Sequence, residues 1–165
     1  GPYVVFHPAA SVPARSWSAR SCAAAAKALA AAGHRVVVTG APADAALTAE
    51  VAAAGGGTDL GGRTTVAELA AVLAGSGVAV APNTGPAHLA AAVGTPVVSL
   101  FAPVVPAARW GPYGVPSVLL GDPSAACAGT RARVCPVPGH PCLESVTPHE
   151  VVVAVEKLLM EGGAR

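Results

Sequence analysis

Apolar positions in this chain come as short unbroken runs set between longer alanine-rich stretches, and that alternation predicts the architecture. Tyr3 to His7, Arg35 to Thr39, Val78 to Ala81, Val97 to Phe101 and Ser117 to Leu120 are runs of Val, Leu and Phe too short for helices. Such near-continuous apolar runs suit strands buried on both faces of a sheet. Thr58 to Leu60 adds a shorter extended piece. The stretches between them carry helical spacing. One helix starts at a cap on Ser16 or Ser18 and runs to about Ala32, where Gly33 stops it. The next follows the turn Gly40-Ala41-Pro42, holds Asp44 in its first turn and ends at Gly55-Gly56-Gly57. Thr65 and Glu68 form a capping box for a helix to about Ala74, and Thr147 with Glu150 does the same for a final helix to about Met160. Pro86 to Val93 is a short helix closed by Gly94-Thr95-Pro96. Strand–helix–strand order calls for parallel strands joined by right-handed crossovers. The expected fold is therefore α/β: a Rossmann-like parallel sheet of about six strands, helices on both faces, one domain over residues 1–165. Two segments stay irregular, Ala102 to Pro116 and Gly121 to Val146.

In such a sheet the turns after the strands gather at one edge, where ligands bind. They contribute Ser11 and Arg15, Gly40 and Asp44, Arg63 with Thr64, the run Asn83 to His88, and the loop around Arg109. The run Asn83-Thr84-Gly85-Pro86-Ala87-His88 is the most informative, because it ends a buried strand and opens a helix. Asn83 or Thr84 can cap that helix through a side-chain oxygen, and Pro86 suits the first helical position. The N–H groups of Gly85, Ala87 and His88 are then expected to face outward, where a phosphate is a natural partner. Arg15 could hold a phosphate through two parallel hydrogen bonds, and Asp44 is placed to accept from ribose hydroxyls. Each residue also has a plain structural reading: an ordinary capped helix, a solvated arginine, an aspartate favouring its helix dipole. Their convergence on one edge is what carries the functional case.

Composition narrows the field further. The formal net charge of +1, with scattered arginines, offers no basic stripe for nucleic acid. No apolar stretch is long enough to cross a bilayer without meeting a charge, Gly or Pro. Gly-x-Gly-x-x-Gly, Gly-x-Ser-x-Gly and His-Glu-x-x-His are all absent, and no pair of carboxylates stands out as an acid–base couple. A phosphate and nucleotide site without an evident catalyst remains. Gly1-Pro2 leads straight into a core strand, which predicts the second half of a two-domain protein. Cys22 reads as a small buried helix residue. Cys127, Cys135 and Cys142 fall in the irregular segment beside His140 and could bind zinc, but they lack a tight Cys-x-x-Cys. The order of expectation is free thiols, then one disulfide, then zinc.

The string Asn83 to His88, its alanine-rich helix, and Pro96 with the strand to Phe101 resemble the signature of the ADP-heptose–lipopolysaccharide heptosyltransferase family, glycosyltransferase family nine. Pro106 to Gly114 resembles that family's Pro-Tyr-Gly loop, Arg15-Ser16-Trp17 its Lys-x-Trp element, and Gly40 to Asp44 its strand-end glycine with a nearby acid. The cysteine-bearing segment and the last helix fit the same pattern. The resemblance implies the C-terminal donor-binding half of a GT-B enzyme that takes an ADP-activated, heptose-like sugar and inverts the anomeric carbon without a metal or cofactor. It implies that Ser11, Arg15, Thr84, Gly85, Ala87 and His88 meet the phosphates, while Gly40, Asp44 and Asn83 serve the ribose and base. The general base and the contacts to a glycan or glycolipid acceptor would come from the absent N-terminal half, in a cytoplasmic enzyme that can associate peripherally with a membrane. Arg15 stands where Lys is usual, Asn83 where Asp is usual, and Ala102 where Gly is usual. The rival readings are a UDP-sugar transferase, a nucleotide-sugar epimerase, or a non-catalytic sugar-nucleotide binding module.

Overall fold

The computed structural model describes residues 2–163; Gly1, the first residue of the Gly-Pro start, lies outside them. Six strands form one sheet: β1 (Val4–Phe6), β2 (Val36–Val38), β3 (Thr58–Asp59), β4 (Val78–Pro82), β5 (Val97–Leu100) and β6 (Ser117–Leu120). Their order is β3-β2-β1-β4-β5-β6, and every neighbouring pair is parallel. β1 is central, with Val4 opposite Val36 on one side and Val78 on the other. The six-stranded α/β arrangement expected from the sequence is the one observed.

Side chains alternate across the sheet and build two cores. Val4, Phe6, Val78, Val80, Val98 and Leu100 point into one layer. They pack there against α1 (Ala19–Ala31), α2 (Ala45–Gly55) and α7 (Pro148–Gly163). Val5, Ala79, Ala81 and Val97 point the other way, onto α3 (Val66–Ala74) and α4 (Gly85–Ala92). The edge strands β3 and β6 are only half-buried, which is where the sheet meets solvent. Alanine-rich helices let backbones approach closely. A Cβ added to Gly55 of α2 would sit 2.8 Å from the Ala26 carbonyl of α1, so these two helices meet with no room for a side chain.

Capping follows the sequence closely. Ser18 caps α1 by accepting from the Ser21 N–H, and Thr65–Glu68 and Thr147–Glu150 both close their reciprocal boxes. Three boundaries differ from expectation. α4 begins at Gly85, so Pro86 is its second residue. Asp44 ends a 3-10 turn, Pro42–Asp44, ahead of α2 rather than lying within it. The two irregular segments each hold one short helix, α5 (Ala107–Trp110) and α6 (Pro141–Glu144).

α6 ties the 121–146 segment into the main core through Leu143, which is fully buried. Leu143→Ala should lower the unfolding free energy by roughly 2–5 kcal/mol, as large-to-small changes in a close-packed core do. A urea titration reads this directly, and an unchanged midpoint would show that the segment is not part of the cooperative unit.

Candidate functional site

Strand order reverses direction between β1 and β4, and the chain leaves both strands at the same edge. Crossover helices therefore diverge there and open a crevice. The structure has a cavity of about 540 Å³ at this point, walled by the segments that follow β1, β2 and β4. Its polar lining comes from His7, Ser11, Asp44, Thr64, Thr65 and Thr84. Gly40 forms part of the floor, and a Cβ there would lie 2.6 Å from Thr48 Cγ2, so only glycine fits. A larger cavity of about 730 Å³ lies at the opposite edge, among the turns that precede the strands. None of the expected site residues lines it. The polar convergence makes the smaller cavity the candidate.

Each contributor has a local cause. The 3-10 turn after β2 brings Asp44 back over the sheet edge, its N–H donating to the Ala41 carbonyl at 2.9 Å. Asp44 occupies the N-cap position of α2, yet its side chain makes no capping bond, so the carboxylate stays free for the cavity. Thr84 likewise stands at the N-cap of α4 without a side-chain capping bond, contrary to the expectation that Asn83 or Thr84 would cap it. The Thr84 carbonyl instead accepts from the Ala87 N–H at 3.1 Å. That bond changes the anion-site inventory: Ala87 is buried and its N–H is already used. Gly85, first in the helix, keeps an N–H with no intrahelical acceptor. A Cβ there would meet nothing within 4 Å, so open space lies beside it.

Of the residues singled out from the sequence, Ser11, Gly40, Asp44, Thr64, Thr84 and Pro86 line this cavity together. Arg15, Asn83, Gly85, Ala87 and His88 do not. The 3-10 turn Pro13–Arg15 packs on the 121–146 segment, with the Ala14 N–H donating to the Arg133 carbonyl at 2.9 Å, and Arg15 Nε is buried without a partner. Asn83 is buried, its Nδ2 also without a partner among the described residues. His88 is exposed in the first turn of α4.

His7 is the lining residue that sequence reasoning missed. Its Nδ1 lies 2.9 Å from Oγ1 of Thr39, at the equivalent end of β2, and its backbone N–H donates to the Val80 carbonyl. Burial pushes the His7 pKa down to about 4, with the Asp44 carboxylate pulling the other way. The imidazole is therefore neutral at physiological pH. The signal was present: His7 is the first polar residue past an apolar strand, at the edge where ligands bind.

The cysteine segment serves as a buttress. His140 Nε2 donates to the Ser16 carbonyl at 2.9 Å, and Glu144 accepts from the Ser18 N–H and from the hydroxyls of Ser18 and Ser21. All four cysteines are free. Burial pushes the Cys22 thiol up to about 12, and burial with the neighbouring Cys127 and Cys135 pushes Cys142 up to about 11. These are protonated, unreactive thiols at neutral pH. Among the described residues no three His, Cys, Asp or Glu side chains are grouped to hold a metal ion. No helix among them is long and apolar enough to cross a membrane.

The family model for glycosyltransferase family 9 (heptosyltransferase) matches residues 1–140. No curated protein matches the chain in sequence. Solved structures do match in fold. ADP-heptose lps heptosyltransferase II of E. coli superposes with a TM-score of 0.80 at 23% identity, over 98% of this chain and 47% of its own. E. coli heptosyltransferase WaaC with ADP gives 0.73 at 23%, over 96% and 44%. The dodecameric, iron-containing heptosyltransferase TibC, from enterotoxigenic E. coli and in complex with ADP-D-β-D-heptose, gives 0.72 at 18%, over 97% and 46%. The chain thus spans about half the length of the structures it matches.

A buried neutral histidine leaves a mark on stability. The unfolded chain takes a proton on His7 near pH 6.5, whereas the folded chain refuses it until about pH 4. Stability contributed this way is full above pH 6.5 and is lost as pH falls towards 4, by about 2 kcal/mol between pH 7 and pH 4.5. His7→Gln should flatten that part of the urea-measured stability profile; parallel profiles for the two proteins would contradict it.

Proposed function

Since the chain belongs to glycosyltransferase family 9 (heptosyltransferase), we propose that the cavity over β1, β2 and β4 takes the nucleotide-sugar donor of such an enzyme. The carrying observation is that Ser11, Gly40, Asp44 and Thr84, from three different strand ends, line one crevice at the point where strand order reverses. The donor is ADP-linked on this reading, supported by the fold shared with heptosyltransferases that hold ADP or ADP-heptose. Asp44 accepts from the ribose hydroxyls. Ser11, Thr84 and the open N–H of Gly85 meet the diphosphate, with exposed His88 of the same helix tip and Arg15 of the loop after β1 bordering its outer end.

The sugar is transferred with inversion. In that step the bond from the anomeric carbon to the diphosphate breaks, and negative charge grows on the departing phosphate. Preorganised donors and the positive end of α4 stabilise it. The general base and the glycan or glycolipid acceptor belong to the half of the enzyme that this chain does not span, and the whole works in the cytoplasm. On this reading those donors meet the leaving group's charge without a metal.

Calorimetry with ADP, UDP and GDP tests the reading. ADP should bind most tightly, unaffected by EDTA, and Asp44→Asn should weaken it roughly tenfold by removing a charged acceptor. A preference for UDP would point to a different nucleotide-sugar enzyme, and no binding of any of the three would remove the assignment.

A further inference from the structure

Resting on the donor site just described, we propose that His7 is a further donor-binding residue: a neutral imidazole whose Nε2–H donates to a phosphate oxygen of the bound nucleoside diphosphate. Thr39 is fully buried, and among the described residues its hydroxyl has one partner, His7 Nδ1 at 2.9 Å. A hydroxyl carries one hydrogen, and a ring nitrogen of a neutral imidazole is either donor or acceptor. If His7 donated from Nδ1, the Thr39 hydrogen would be left buried with no acceptor, which costs stability. If Thr39 donates to Nδ1, every polar atom of the pair is used. Nδ1 is then the acceptor, and the ring's proton must sit on Nε2.

Nε2 has no protein partner among the described residues, and it is not sealed off among the buried unpartnered atoms either. His7 lines the cavity with Ser11, Asp44 and Thr84, so the free nitrogen is the ring's polar contribution to that space. A donor suits an oxygen of the ligand and not a cation or another donor. His7 follows β1, which lies between β2, carrying Asp44 on its far turn, and β4, carrying the α4 tip. It therefore stands between the ribose end and the outer phosphate, where the diphosphate joins the nucleoside. Thr39 acts through His7 as a positioning residue, locking the tautomer.

Two measurements decide this on the 165-residue chain. Nitrogen-15 NMR of the histidine ring should show the Nε2–H tautomer for His7, and ADP, but not adenosine, should shift the Nε2 resonance. Calorimetry should show His7→Phe losing roughly tenfold in ADP affinity while adenosine affinity holds, and His7→Gln, whose amide keeps an N–H at the same reach, retaining most of it. Thr39→Val should weaken ADP binding and lower the population of the Nε2–H form. An Nδ1–H tautomer in the wild-type chain, or equal loss for ADP and adenosine in His7→Phe, overturns the proposal while ADP binding by the wild type stands. Failure of the wild type to bind ADP removes the donor site itself, and this inference with it.

Discussion

Parallel pairing of β1 with both β2 and β4 is the constraint from which the rest follows. Because β1 is hydrogen-bonded on each side and covered on each face, nothing polar can be tolerated along its length, and Val4, Val5 and Phe6 are all fully buried. Polar chemistry is displaced to the first residue past the strand. His7 is that residue in β1, Thr39 in β2 and Asn83 in β4. One consequence is geometric precision: the register pairs Phe6 with Val38 and with Val80, so His7 and Thr39 stand level and Asn83 lies two residues further along the same edge. The other is electrostatic. α4 starts directly after β4, so the positive end of its dipole is aimed at the same edge.

The loop after β1 would be a weak support for a ligand if it stood alone. It is held instead by the 121–146 segment, whose Arg133 and Glu144 bind the backbone at Ala14 and Ser18 and whose His140 holds the Ser16 carbonyl. Leu143, Cys127 and Cys142 pack beneath these contacts in the main core. Burial thus accounts for Cys127 and Cys142, whereas Cys135 is half-buried. Desolvation keeps the Cys142 thiol protonated. Loops that carry function on a rigid scaffold need such a brace.

The sheet was legible because its signals are local. Apolar runs mark the strands, and Thr65–Glu68 and Thr147–Glu150 each satisfy one another within four residues. Part of the candidate lining was legible too, since Ser11, Gly40, Asp44, Thr64 and Thr84 sit at strand-end turns. What escaped notice depends on contacts far apart in sequence. His140 meets Ser16 across 124 positions, and Glu144 meets Ser18 across 126, so no window could reveal that the irregular segment is a buttress. His7 escaped because a histidine ending an apolar run reads as strand. The Ala87 N–H, expected from the sequence to face outward, is consumed by a tight turn to the Thr84 carbonyl, a detail of the first helical turn that residue types do not encode.

The charge layout of the cavity fixes how a ligand must lie in it. Asp44 is an anion, and a diphosphate placed against it would be repelled strongly in a crevice of low dielectric. The positive end of α4, with Thr84 and Gly85, stands at the other side of His7. On the proposed reading an activated sugar lies with its ribose hydroxyls towards Asp44 and its phosphates towards α4. The neutrality of His7 matters to this division. A cationic ring there would attract the Asp44 carboxylate, whereas a neutral one leaves that carboxylate to the hydroxyls of the proposed ligand. Burial, which holds the His7 pKa at about 4, therefore keeps an uncharged ring between the two ends.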